Sequence, residues 1–273
     1  MFFAFIFLGL FLWPADVLAE WNVQISTGYS QAKLNLLNTG QLQQTTFIPP
    51  RVGGSPGVEG GPVHGIGIEW RIRPRFSLML KTSFWEGEST AIEESEIQFQ
   101  DFGIVPFTAK RTTRVSFNEY ALHGRYHVLD APKKHRLYLD IGLFSLIKVN
   151  YREDFNYVFD TGNQEFLRNI LSRAESEGGY MLEWGVGGDY YLTKWFAVGV
   201  DALYRTGKTR QLFYKSFRHT FLERDAVDDA VGVARAIPQP GDPVQYVGPD
   251  NVRRILEIDL SGWELTAGIR FFF

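Results

Sequence analysis

The sequence predicts an all-β fold, a transmembrane antiparallel up-and-down β-barrel, on three observations. Eight segments alternate apolar and polar residues with a period of two, so each strand turns one face to apolar surroundings and the other away from them. The connections between them are alternately short and long. A single-chain barrel with turns at one rim and loops at the other produces that order. Aromatic residues, 15% of the chain, gather toward both ends of the segments, as amphipathic rings do at two water–lipid interfaces.

The segments follow in order. Trp21, Val23, Ile25, Thr27 and Tyr29 alternate with Asn22, Gln24, Ser26 and Gly28. Ile66, Ile68, Trp70 and Ile72 form the second apolar face, and Phe76, Leu78, Leu80, Thr82 and Phe84 the third. Tyr120, Leu122, Tyr126 and Val128 form the fourth. The fifth joins Leu137, Leu139, Ile141, Leu143, Ile147 and Val149, against Arg136, Tyr138, Asp140, Gly142 and Lys148. Tyr180, Leu182, Trp184, Val186 and Tyr190 make the sixth, and Phe196, Val198, Val200, Ala202 and Tyr204 the seventh. Trp263, Leu265, Ala267, Ile269, Phe271 and Phe273 close the chain. Short turns fall at 73–75, 130–135 and 193–194, and long loops at about 31–62, 86–113, 152–177 and 207–253. Trp21, Trp70, Phe76, Tyr126, Tyr190, Phe196 and Phe271 are then expected at one rim, and Tyr29, Phe84, Tyr151, Tyr180, Tyr204 and Trp263 at the other. A ten-stranded ring is the alternative, with 96–104 and 211–217 as further strands; these otherwise read as outer extensions of neighbouring strands or as loop hairpins.

Residues 2–13 are an apolar run followed by Val17, Leu18 and Ala19. Residues 1–19 are therefore expected to be a signal peptide, although no Lys or Arg precedes the run, and 20–273 the barrel. The chain holds no cysteine, which excludes disulfides and thiol catalysis. A net charge of −3 implies no pull toward nucleic acid.

The stretches GIGIEWRIRPRFSLMLK, 65–81, and GVGGDYYLTKWFAVGVDALYR, 185–205, resemble hairpins of small OmpA-type and OmpW-type outer-membrane barrels. The resemblance implies a bacterial outer-membrane location, a monomer, and lipid and lipopolysaccharide as surroundings. It also implies that Ile269, Phe271 and Phe273 form the terminal signal read by the barrel-assembly machinery.

With apolar residues facing lipid, the alternating set faces inward: Glu69, Arg71, Lys81, Glu119, His123, Arg125, Asp140, Lys148, Glu183, Asp189, Asp201, Arg205, Glu264 and Arg270. An eight-stranded barrel is just wide enough for side chains to fill it, and buried charges must pair. The set therefore reads as a charge network that plugs the lumen. The rival readings are a narrow channel for ions or small solutes and an enzyme that modifies lipid A. The enzyme has poor candidates: Ser216, His219 and Glu223 share a loop, His123 and Glu119 lie apart on one strand, and His64 has no evident serine. His127 and His135 read as solvated. No catalytic set, metal spacing or cofactor site is expected.

The loops are the expected seat of recognition of an extracellular ligand or protein. In the third, Phe166, Leu167, Ile170 and Leu171 suggest a short amphipathic helix over 163–177. In the fourth, Lys208, Arg210, Lys215 and Arg218 are candidate contacts for lipopolysaccharide phosphates, while the run ERDAVDD reads as solvated loop.

Overall fold

A computed structural model describes residues 20–34, 41–42, 58–99, 103–131, 134–160, 165–176, 178–209, 211–221, 238–247 and 252–273. The expected signal peptide, Arg210, Glu223 and the ERDAVDD run lie outside them. The strands are β1 (Trp21–Gln31), β2 (Gln41–Leu42), β3 (Gly60–Arg73), β4 (Phe76–Phe99), β5 (Gly103–Ala131), β6 (His135–Asp160) and β7 (Glu165–Ser176). They continue with β8 (Gly179–Tyr180), β9 (Leu182–Tyr191), β10 (Phe196–Thr206), β11 (Leu212–Phe221), β12 (Gln245–Val247), β13 (Arg253–Ile255) and β14 (Gly262–Phe272).

Eight strands close an antiparallel ring: β1, β3, β4, β5, β6, β9, β10 and β14. Closure is at both seams, β1 on β14 and β6 on β9. The ten-strand alternative falls, because among the described residues β7 meets β6 along its upper half alone, from Asn150 to Asp160, and β11 pairs with no strand but β7. These two strands heighten one wall without entering the ring. The fold is that of an outer-membrane β-barrel.

A tilted strand needs about 9–11 residues to cross a bilayer. β1, β9, β10 and β14 have 10 or 11, while β4, β5 and β6 have 24, 29 and 26. The surplus stands beyond the membrane as an upper storey. Much of what was expected as long loop, 86–113 and 152–177, is therefore strand.

The lower storey meets lipid with Ile25, Ile66, Ile68, Leu80, Leu139, Ile141, Val186, Val200 and Leu265, all exposed. Two aromatic girdles bound it, each built from cross-strand pairs. Trp21 stacks on Trp70 with centroids 5.5 Å apart, Phe76 meets Tyr126 at 5.1 Å and Phe196 meets Phe271 at 5.4 Å. At the other rim Tyr204 sits 5.0 Å from both Trp184 and Trp263.

Above the girdle the polarity of the wall reverses. Val115, Phe117, Ile147, Val149 and Tyr151 point inward, joined by Trp85, Met181 and Leu212. The connecting segments supply Leu34, Val58, Val244, Leu256, Ile258 and Leu260 to the same core. Backbone hydrogen bonds fix them, among them Leu34 N to Asp259 O at 3.1 Å and Leu260 N to Gly207 O at 3.1 Å. Higher still, Phe107, Phe155, Tyr157, Phe159 and Ile170 continue the inner apolar face.

Three expectations are corrected here. The segment expected as a helix is β7: Ile170, Ser172, Ala174 and Ser176 point inward at a period of two. The free edge of upper β6 pairs its backbone, and that outweighs a weak helical pattern. Lys148 does not enter the lumen, and Tyr151 is not in the outer girdle. The pairing of β5 with β6 steps from Leu122↔Phe144 to His123↔Gly142, leaving Leu143 bulged. One extra residue reverses the sides of everything beyond it. Lys148 is thereby exposed, and Ile147, Val149 and Tyr151 are buried.

Candidate functional site

The inner face of the lower storey forms one network of charged groups from seven of the eight ring strands, joined by the Asn22 and Gln24 amides of β1. Its lower half centres on three arginines around Tyr138. Arg125 Nε donates to Asp140 at 2.8 Å and its Nη1 to Glu69 at 3.0 Å. Arg136 Nε donates to Asp189 at 2.8 Å, and its Nη2 lies 3.2 Å from Glu69. Arg270 donates to Asp201 at 2.9 Å and also meets Asp189. The Tyr138 hydroxyl donates to Asp201, and the ring carries the Arg125 and Arg270 guanidinium carbons at 4.5 and 5.1 Å from its centroid. Gln24 Nε2 donates to Asp201 at 2.9 Å, and Arg270 Nε donates to Gln24 Oε1 at 3.1 Å.

The upper half is shared among carboxylates. Glu264 accepts from Lys81 at 2.8 Å and from Arg205 at 3.2 Å. Glu119 accepts from Ser83 and from Ser145, each at 2.7 Å. His123 places Nδ1 2.6 Å from Asp140 and Nε2 3.2 Å from Glu183. Every one of these charged residues is at most 8% exposed. A cavity of about 10 Å³ remains between Gln24, Lys81, Arg125 and Asp201, about the lower limit for one water molecule.

Small residues make room for these long side chains. A Cβ on Gly187 would lie 2.3 Å from the Tyr138 hydroxyl, and one on Gly199 would lie 2.4 Å from Asp189 Oδ1. Both glycines face inward beside the arginines, where any side chain would displace the network.

Of the fourteen residues expected in the lumen, twelve meet there: Glu69, Lys81, Glu119, His123, Arg125, Asp140, Glu183, Asp189, Asp201, Arg205, Glu264 and Arg270. Arg71 stands at the lower mouth, 3.0 Å from Glu20 and in contact with Asp130. Lys148 lies outside, 2.9 Å from Glu175. Sequence reasoning left out Arg136 and Tyr138, although both sit at inward positions of an alternating strand. It also read His127 as solvated. His127 is 1% exposed, with Nε2 2.9 Å from the Ser77 hydroxyl, which in turn donates to Glu69 at 2.5 Å.

The remaining candidates are dispersed. Lys208 lies 3.5 Å from Glu257 and Lys215 3.4 Å from Glu175, while Arg218 is exposed on β11. Phe271 and Phe273 point outward, 38% and 72% exposed, with Ile269 half-buried between neighbouring strands. His64 faces outward with Nδ1 2.9 Å from the Thr27 hydroxyl, and among the described residues no carboxylate contacts its ring.

A second polar island lies in the upper storey. Glu153, fully buried, accepts from Arg111 Nε and from the Tyr151 hydroxyl. Burial and the Glu153 carboxylate push the Tyr151 phenol well above its ordinary range, and the same two causes raise Tyr214. On the outer surface, hydrogen bonding from Lys148, with Lys215 beside it, holds the Glu175 carboxyl below its usual range.

The sequence matches no family model and no curated protein. Among solved structures the chain is similar to the outer membrane protein OprG from Pseudomonas aeruginosa. Identity is 8% over 93% of this chain and 96% of that one, with a TM-score of 0.46. It is also similar to a major outer membrane protein from Thermus thermophilus, at 11% identity over 94% and 100% of the two chains and a TM-score of 0.39. The outer membrane protease OmpT from Escherichia coli matches at 10% identity over 95% and 99%, with a TM-score of 0.35.

Proposed function

We propose that the chain is a monomeric, non-enzymatic outer-membrane protein whose lumen is closed by its charge network, acting in envelope integrity or surface recognition through its upper storey. The observation that carries this reading is the filled interior: paired cations and carboxylates from seven of the eight ring strands, with a cavity of about 10 Å³ among them. A path for hydrated ions would need those pairs to separate, and separating buried partners costs several kcal/mol. The apolar core above, tied down by backbone hydrogen bonds, supports a second closure at the outer mouth.

The test is electrical. The refolded protein in planar bilayers is expected to give no discrete conductance steps at neutral pH. Discrete steps from the unaltered chain would sink the plug and favour the rival reading, a narrow channel. Lipid A of unchanged mass on expression is expected, and a mass change would favour a lipid A-modifying enzyme. The barrel itself is checked by gel mobility, which is expected to shift on boiling.

A further inference from the structure

Three arginines stand in one row on the outside of the tall wall. Arg114 on β5 is directly opposite Arg152 on β6, and Arg152 is directly opposite Arg173 on β7. Like charges facing each other across neighbouring strands are destabilising. Arg114 is engaged at its side of the row by Glu88 and Glu86. Among the described residues the one carboxylate near Arg152 is Asp154, at 3.9 Å. Arg173 is exposed and has no carboxylate contact among the described residues. A hollow of about 280 Å³ opens between the three arginines and Lys215. Glu175, the acid in its lining, is already bound by Lys148 and Lys215.

The row's height identifies what could fill the hollow. On β5 the last aromatic residue facing lipid is Tyr120, and Arg114 is six residues above it. That is about 20 Å along the strand at about 3.4 Å per residue, or about 14 Å in height at a tilt of about 45°. The polar zone of a phospholipid bilayer adds only about 5–8 Å on each side. A phospholipid headgroup therefore falls short of the row. An anionic group fixed to a sugar layer above the membrane would reach it. Arginine binds such groups by paired N–H donors, and Ser116 and Asn150 in the same lining can hydrogen-bond sugar hydroxyls.

We propose that Arg114, Arg152 and Arg173 form a site for the phosphorylated sugar region of an outer-leaflet glycolipid. It lies on the outer side of the wall above the membrane, apart from the lumen, and it rests on the outer-membrane reading above. The anion relieves the repulsion along the row and ties the tall wall to the leaflet.

The test compares the full chain with its Arg152→Gln, Arg173→Gln double variant in nanodiscs. The probes are phosphorylated lipooligosaccharide, the same glycolipid stripped of phosphate, phosphatidylglycerol alone, and inorganic phosphate in solution. Retention is read by native mass spectrometry. The unaltered chain is expected to retain the phosphorylated glycolipid at least tenfold better than the double variant. Removing the phosphates should lower retention by the unaltered chain as much and leave the variant unchanged. Without glycolipid the variant should resist heat at least as well as the unaltered chain. Equal retention by the two chains overturns the site, as does a variant less heat-resistant under every condition. Protection by inorganic phosphate or phosphatidylglycerol equal to that by glycolipid overturns the assignment of the ligand. A chain with no heat-shifted mobility would instead sink the outer-membrane reading beneath it.

Discussion

Leu143 and Phe144, consecutive in the chain, both face outward. This bulge decides which residues of upper β6 are inside. Deleting Leu143 and Phe144 together would place Ser145 directly after the inward Gly142 and reverse the strand above it, sending Glu153 and Tyr151 outward and Lys148 and Arg152 inward. The deletion is expected to abolish the folded form seen as heat-shifted gel mobility. Leu143→Ala keeps the bulge and should cost about 1 kcal/mol or less, as for an exposed position. A deletion variant that folds as well as the unaltered protein would show that the register is set elsewhere.

The glycines beside the arginines give a sharper contrast. Gly199→Val must push Asp189 off Arg270, and Gly187→Val must push Tyr138 off Asp201. Each is expected to destabilise by about 1–3 kcal/mol or more, the cost of overpacking a filled interior. Gly124 faces outward, and a Cβ there would meet only Leu143, at 3.6 Å. Gly124→Val should be nearly neutral. Urea unfolding in lipid vesicles measures all three, and equal effects at Gly124 and Gly199 would contradict a packed lumen.

Glu264 holds two cations, so its loss and theirs should differ. Glu264→Ala leaves Lys81 and Arg205 together without their shared acceptor. Breaking a buried pair in this way costs about 3–5 kcal/mol. Lys81→Met leaves Glu264 still bonded to Arg205 at 3.2 Å and fills the space with an apolar chain of similar length. Its cost is expected to be smaller, because a well-packed apolar replacement can approach neutrality. If unfolding in vesicles ranks the two in the opposite order, the pairing described here is not what stabilises this layer.

The lower storey was legible because its strands read apolar outward over the whole membrane span, as in β10 from Phe196 to Tyr204. The upper storey inverts that sense. On β5, Glu119, Ala121 and His123 line the lumen, while Val115 and Phe117, on the same side, line an apolar core. Water outside replaces lipid there, so the apolar face turns in. A reading that assigns apolar residues to the exterior cannot place Phe107, Phe155 or Tyr157. Strand β7 was obscured by its small inward residues, Ser172, Ala174 and Ser176, which carry little hydrophobic signal at either period. Within the site, Arg136 and Tyr138 occupied alternating positions beside Leu137 and Leu139 and could have been included. The bulge at Leu143 left no mark in composition, and nothing in the alternation foretold that Lys148 would lie outside.

The upper polar island should respond to alkali. Tyr151 and Tyr214 have folded-state pKa values raised by burial and by Glu153. Both are protonated in folded and unfolded chains below the unfolded value of about 10. Above it the unfolded chain releases protons that the folded chain retains, so the stability these phenols contribute is lost as pH rises. Upper-storey stability is therefore expected to fall from about pH 10 upward, and Tyr151→Phe should flatten that fall. Absorbance of tyrosinate near 295 nm, followed with and without denaturant, separates the two states. Replacing Tyr151 should leave the folded titration near pH 11 unchanged and lower the amplitude in the unfolded one. If the folded protein loses amplitude near pH 11 with Tyr151→Phe, the phenol is open to water, and the buried contact with Glu153 does not hold.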